Sequence, residues 1–474
     1  MSTELVNAIS TLAGVVIFTR LVRPDVYGAY ALTIAAASIA LTLSGEWLQT
    51  ATLRLLAGQH RVSHRRVYLR ALLQLTLASV GVLTVAAAVG FYAPRTTLGR
   101  ELVVAGWLYA ALNILFQGTT ICFQATFEPT RFAIYRSIFS VLRILLAAML
   151  AVLVAPSPVW LVGGSVMALL LVLPPAAFQL LRERGSEIPP ERIALARRRV
   201  VTFGVPLIGW YAASQTLNLS DRFFLQGFLG STEVGMYSVT YSLVVGATTT
   251  LLQPILAAVY PAMVGAWNRE GPAAAGRELA TALRIYLLLA PLLLCGLLLF
   301  GNDVLGLLAP AAYRTPRALI GILAAALLCW NAGLFLQKGL ELGLRSRDLV
   351  KALSIAAGVN VVANFFFITR FGLIGAACAT LAGYAVYAGQ VWPRSRAALP
   401  FTFPFRTAAA GVIAGGVFTG LEMLLARVPG LQTPALRLVV VAPLAFLGYA
   451  GAVYGLGELR LRARAQPAIA SRRP

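Results

Sequence analysis

Apolar stretches of roughly 18 to 25 residues recur along the whole chain, parted by short polar joints, and that is the length an α-helix needs to cross a hydrocarbon core about 30 Å thick. About fourteen such helices follow from run length and flanking charge, the first at 3–20 and the last at 435–457. The pattern predicts an all-α polytopic membrane protein of two pseudo-symmetric six-helix lobes plus two extra C-terminal helices. The N-terminal lobe is expected over 1–181 (helices 1 to 6) and a cytoplasmic basic linker over 182–199. The C-terminal lobe is expected over 200–392 (helices 7 to 12), with helices 13 and 14 and a basic cytoplasmic tail over 393–474. An even number of spans puts both termini on one side.

The two lobes rest on a soft internal repeat. VYGAY (Val26 to Tyr30) and VGMY (Val234 to Tyr237) each follow a short joint carrying an acid, Asp25 or Glu233, and each opens a helix running the same way. An interval of about 207 residues holds six helices, and an even number makes the repeats parallel.

Composition narrows the reading. Of 474 residues 59% are hydrophobic and 12% charged, where soluble domains carry about a quarter charged residues, so function must reside in the membrane part. The net charge of +22 raises nucleic acid as a partner, yet its distribution argues otherwise. About 27 of the 39 Lys and Arg residues fall in joints on one side and about 10 on the other, which is the positive-inside bias of a multi-pass protein with cytoplasmic termini. The opening MSTELVNAISTLAGVVIFTR lacks a basic leading segment and carries Glu4, so it reads as a retained first helix.

Two arginines remain over from that tally, Arg136 and Arg143, both inside helix 5 (132–155). Seven residues apart, they share a helix face with Ser140 between them. Counted from Arg131, Arg143 lies about 18 Å deep at about 1.5 Å per residue. An arginine at that depth faces a bundle interior or wet cavity; it either binds a phosphate through its planar fork or belongs to an internal ion pair. Arg136, nearer the interface, either joins it or snorkels. Glu46, in helix 2 (27–53), falls between them in depth. It is the candidate ion-pair partner, or else the group that carries a proton or cation.

Polar stripes mark other inward faces: Asn113 and Gln117 in helix 4; Tyr211, Gln215, Asn218 and Arg222 in helix 7 (200–221); Asn360 in helix 11 (349–369). These either line a cavity or tie helices together. Asp221 and Arg222 would close the outer end of helix 7 as a gate or brace. Cys122, Cys295, Cys329 and Cys378 sit unpaired in apolar runs and read as packing. His60 and His64 have no acid or thiol nearby, so no metal is expected. No P-loop occurs, and no cofactor is expected; coupling to Na+ or H+ is left open.

Several stretches carry a family resemblance: FTRLVRPDVYGAYALTIAA (Phe18 to Ala36), FGVPLIGWYAASQTLNLSDRFFLQGFLGSTEVGMYSVTYSL (Phe203 to Leu243), Tyr260-Pro261, KGLELGLRSRD (Lys338 to Asp348) and FGLIGAACATLAGY (Phe371 to Tyr384). They resemble the Wzx-like lipid-linked oligosaccharide flippases of the polysaccharide transporter family, in the multidrug/oligosaccharidyl-lipid/polysaccharide exporter (MOP) superfamily. The resemblance implies lobes that rock around a central cavity. It implies transfer of an undecaprenyl-diphosphate-linked glycan across a bacterial inner membrane, for surface polysaccharide such as the O-antigen of lipopolysaccharide. It also implies cavity arginines that meet the diphosphate, surrounding membrane lipids, and polymerase and glycosyltransferase partners. Two other readings stay beside it: a multidrug or cation antiporter of the same superfamily, and a membrane glycan polymerase or ligase. The last would be an enzyme, and is disfavoured because the outside joints are short; the largest, about 301–316, offers Asp303 and Arg314 but no base and nucleophile pair.

Overall fold

The computed structural model describes residues 2–56, 62–181 and 189–458. The described residues are helical apart from turns and short connections, with no strand among them. The chain divides into two compact units, Met1–Val239 and Thr240–Pro474.

The first unit contains α1 (Ser2–Leu21), α2 (Pro24–Leu41), a π-helical turn (Thr42–Glu46), α3 (Trp47–Leu56), α4 (Val62–Phe91), α5 (Thr97–Ala125), α6 (Pro129–Leu153), α7 (Pro158–Leu181), α8 (Pro190–Gly204) and α9 (Ile208–Phe228). It ends within α10 (Ser231–Glu270), which continues into the second unit. Proline opens α2, α6, α7 and α8, where its missing N–H costs nothing and its φ is already helical. The Thr96 side chain caps α5 by accepting from the Gly99 N–H at 3.1 Å. Ile114, Phe116 and Phe123 of α5 pack with Val162 and Leu169 of α7 as the core. By contrast α4 turns Val82, Val85 and Val89 outward, as a helix facing lipid does.

The second unit contains the rest of α10, α11 (Pro272–Leu308), α12 (Arg317–Leu336), α13 (Lys338–Leu342), α14 (Ser346–Ala398), α15 (Phe405–Leu425), α16 (Pro434–Leu436), a π-helical turn (Arg437–Val441) and α17 (Ala442–Gly455). Trp330 of α12 packs at a tilt against both Tyr384 and Tyr387 of α14, with ring centroids 5.1 and 5.3 Å away. The Tyr387 hydroxyl donates to the Gln337 side chain at 2.5 Å. Within α14, Gly372 takes φ 57° and ψ −130°, a combination open to glycine and strained for other residues, so the 53 residues are two helices joined at that point.

Among the described residues eleven helices, with α14 taken as one, are long and apolar enough to span a membrane. The chain is therefore a multi-pass membrane protein. The difference from the expected fourteen has three sources. Only Ile9–Leu21 of α1 is described without interruption, which is too short to count, α9 carries too many polar residues, and the two helices of α14 count as one. Helix 7 was expected over 200–221; the chain instead makes α8, a 3-10 turn at Val205–Leu207 and then α9. Pro206 explains the shift, because it lacks an N–H and crowds the preceding turn. Of the expected linker, Arg182 and Arg184 lie outside the described residues, while Arg197, Arg198 and Arg199 are helical in α8, which packs in the first unit through Ala196 and Val200. His60, the His64 side chain and the tail from 459 onward also lie outside them.

The repeat has a steric basis. A Cβ on Gly28 would stand 1.7 Å from the Ser231 carbonyl oxygen, and one on Gly235 would stand 2.1 Å from the Pro24 carbonyl oxygen. The two glycines thus face each other where α2 and α10 begin, each leaving room for the other's backbone.

Candidate functional site

The polar residues of the first unit collect around the π-helical turn between α2 and α3. An i to i+5 hydrogen-bond register swells the helix there and redirects the side chains that follow, a device found often at functional sites. Thr42 is its first residue and Glu46 its last. The Gln215 side chain of α9 donates to the Thr42 hydroxyl at 2.6 Å, and that hydroxyl donates to the Glu46 carboxylate at 3.2 Å. One turn on, Thr50 and Tyr211 share a hydroxyl hydrogen bond at 2.7 Å. On the opposite flank Gln49 donates to Gln117 at 2.6 Å, and Gln117 donates to Asn113 at 3.1 Å. Side chains from α5, α3 and α9 are thereby tied to one strip of backbone.

Helix α6 supplies the charge. Its sequence repeats Phe-x-x-x-Arg with a seven-residue period, Phe132 to Arg136 and Phe139 to Arg143. The Arg136 guanidinium lies 5.0 Å from the Phe132 ring centroid, and that of Arg143 lies 6.0 Å from the Phe139 centroid. A ring beneath the guanidinium attracts its charge while leaving edge N–H groups open to an acceptor. Arg136 interacts electrostatically with Glu46, and Arg143 with Tyr30 of α2. Among the described residues Arg143 has no hydrogen bond and no carboxylate partner, and its Nε is buried without an acceptor. Glu46 therefore lies within electrostatic reach of Arg136, and its carboxylate accepts from Thr42.

The remaining expected residues are placed elsewhere. Asp221 and Arg222 sit inside α9, which runs on to Phe228, and are 2% and 8% exposed; they do not close a helix end. The Tyr237 hydroxyl donates to Asp221 at 2.6 Å, and Arg222 pairs with Asp221 at 3.2 Å and donates to the Asn218 carbonyl at 3.0 Å. Asn218 itself donates to the Ser214 carbonyl at 2.8 Å. This is a knot tying α9 to the start of α10. Asn360 belongs to the second unit, where it accepts from Asn364 at 3.0 Å with both side chains fully buried.

Thr42, Gln49 and Thr50 escaped the sequence reading, which singled out only Glu46 from GEWLQT. Spacing offered a signal: Thr42, Glu46 and Thr50 recur every four residues, with Gln49 three after Glu46, so all but Gln49 line up along one helix face. The four cysteines are free thiols. Among the described residues no three His, Cys, Asp or Glu side chains gather as metal ligands.

A family model described as "Polysaccharide biosynthesis protein" matches residues 1–267, more than half of the chain and all of this site. The chain belongs to the polysaccharide biosynthesis protein family. Among curated proteins, none matches it. Solved structures show what fold the family member adopts. A structure of the lipid II flippase MurJ in an inward closed conformation superposes with a TM-score of 0.76 at 10% identity, over 96% of this chain and 98% of the other. An inward-facing multidrug resistance MATE family transporter of the MOP superfamily gives 0.64 at 13% identity, over 85% and 95%. A MOP superfamily transporter from Pyrococcus furiosus, whose binding pocket is described as reversed in polarity, gives 0.52 at 14% identity, over 83% and 91%. The expectation of an all-α membrane protein is met, with a fold shared with solved MOP superfamily transporters, and the polysaccharide family expected from the sequence is the one found.

Proposed function

We propose that this polysaccharide biosynthesis protein is a flippase. It carries an undecaprenyl-diphosphate-linked oligosaccharide from the cytoplasmic to the periplasmic leaflet of a bacterial inner membrane by alternating access. The family supports a role in polysaccharide assembly, and the fold is one that solved transporters share. The observation that carries the reading is Arg143: a guanidinium braced on Phe139, inside a membrane-spanning helix, with no carboxylate to neutralise it among the described residues. Such a charge is costly to keep in a membrane. A diphosphate arriving from the leaflet would supply the acceptor oxygens that its planar fork fits, with Arg136 one face-repeat away.

In this reading Gln117, Asn113, Gln215 and Tyr211 form the polar wall that meets sugar hydroxyls. Glu46, linked through Thr42 to α9 and within electrostatic reach of Arg136, exchanges a proton or Na+ as the diphosphate takes over its arginine. The site residues and the coupling are part of the proposal. The test is complementation of a strain lacking its glycan flippase, with surface glycan and its chain length measured. The flippase reading expects repeat units trapped inside the cell without the protein and export restored by wild type but not by Arg143→Ala. Normal export by an expressed Arg143→Ala protein would remove Arg143 from the mechanism. Single repeat units displayed at the surface would point instead to a polymerase.

A further inference from the structure

The second unit holds a basic cavity that the transport reading does not use. It has a volume of about 570 Å³ and is lined by Gly276, Arg277, Thr281 and Arg284 of α11, Arg396 near the end of α14, and the Pro400–Thr402 segment that follows. Arg277, Thr281 and Arg284 fall on one face of α11 at three- and four-residue steps. A Cβ on Gly276 would stand 2.0 Å from the Pro400 carbonyl oxygen, so the segment lies directly on the helix and Phe401 is buried at the cavity floor. Arg277 pairs with Glu270 at 3.0 Å, both largely exposed, an arrangement worth little in water. Among the described residues Arg284 and Arg396 have no acid or hydrogen-bond partner.

The level of this cavity is marked by aromatic rings. Trp392 packs on Phe403 at 4.9 Å and on Phe401 at 6.2 Å, and Phe403 on Phe405 at 4.7 Å, with Phe405 exposed. A tryptophan such as Trp392 settles where hydrocarbon meets headgroups, and the phenylalanines packed on it extend that apolar edge. Basic pockets between spanning helices at that level bind lipid phosphates.

We propose that this cavity is a binding site for the phosphodiester headgroup of an anionic phospholipid. Arg284 and Arg396 would grip the phosphate oxygens, Arg277 would add charge at the rim, and Ala273, Ala280 and Phe401 would receive the glycerol and upper acyl chains. A lipid suits the place better than free phosphate because the walls are partly apolar and adjoin these aromatic rings. The inference stands apart from the transport reading and survives its failure.

The test uses the full chain purified in a neutral detergent and follows its thermal unfolding during titration with short-chain phosphatidylglycerol or phosphatidylcholine, since a ligand that binds only the folded state raises Tm. Phosphatidylglycerol is expected to raise Tm by several degrees and phosphatidylcholine to leave it nearly unchanged. The Arg277→Gln, Arg284→Gln, Arg396→Gln triple variant should lose most of that rise. Thr281→Tyr, which fills the cavity while keeping all three charges, should lose it too and serves if the triple variant unfolds. Equal shifts from the two lipids, or a full shift in Thr281→Tyr, would overturn the proposal. So would competition by inorganic diphosphate at concentrations below those of the lipid, which would assign the site to a soluble anion.

Discussion

Two charged clusters inside this protein are built alike and end in opposite states. Each grows from a π-helical turn. In the first unit Glu46 ends the turn within electrostatic reach of Arg136, while Arg143 stands on the same face of α6 without a carboxylate partner among the described residues. In the second unit Arg437 opens the turn. Its guanidinium meets Asp303 at 2.8 Å, Glu422 at 2.7 Å and the Leu299 carbonyl at 3.0 Å, with the Phe300 ring 5.6 Å away. Arg437 thus has its acceptors supplied by α11 and α15 and works as a brace between helices, whereas Arg143 has a ring beneath it and, among the described residues, no carboxylate to neutralise it. An arginine within the helix bundle is structural when the fold completes its hydrogen bonds and available for a ligand when the fold does not.

The contrast can be broken most forcefully at Arg437. Removing one partner of a buried charge cluster costs about 3 to 5 kcal/mol because the others stay buried unpaired, so Arg437→Met should lower thermal stability in detergent sharply. Adding Asp303→Asn and Glu422→Gln should recover most of the loss; a single variant as stable as wild type would mean the brace holds nothing.

Arg143 should behave in the reverse manner. Arg143→Ala is expected to leave Tm nearly unchanged and to cut glycan export by roughly tenfold to a hundredfold, the equivalent of about 1.5 to 3 kcal/mol for hydrogen bonds to a charged group. Arg143→Lys should fall between, since lysine keeps the charge and loses the fork. If Arg143→Ala melted as early as Arg437→Met, the two arginines would be the same kind of residue.

A smaller effect is expected where α2 meets α10. Gly28→Ala and Gly235→Ala each put a methyl into a neighbouring carbonyl, and overpacking of this sort costs about 1 to 3 kcal/mol. Because the glycines face each other, the double variant should cost less than the sum, as coupled neighbours do; strict additivity in Tm would separate them. Least of all, Thr42→Val removes the hydroxyl that links Gln215 to Glu46, at about 1 kcal/mol for one hydrogen bond. Export should slow several-fold with the fold intact, and unchanged export would detach Glu46 from α9.

Much of this was legible in the chain. Apolar run length announced the spanning helices, the bias of basic joints announced a membrane protein rather than a nucleic-acid binder, and Arg136 and Arg143 stood out because they alone had no place in a joint. The Phe-x-x-x-Arg repeat of α6 was also readable, since residues four apart on a helix meet whatever surrounds them. So was the VYGAY and VGMY echo, though not its cause.

Other features lay beyond any local pattern. A π-helical turn differs from an α-helical one by a single hydrogen-bond step, and TLSGE and RLVVV share only the leucine at their second positions, Leu43 and Leu438, which demands no such turn. The start of α9 was set by Pro206, which breaks the helix where an apolar tally runs straight through, and α9 then continues past Asp221 and Arg222 to Phe228, leaving that pair inside the helix beside Tyr237. Above all, the chain alone could not say which arginine would find an acid. Asp303 and Arg437 are 134 residues apart, and their meeting depends on how α11 packs with α15 and the turn before α17. Helix formation follows from residues within a few positions of each other; neutralising a buried charge depends on which helices become neighbours, and that is settled only by packing.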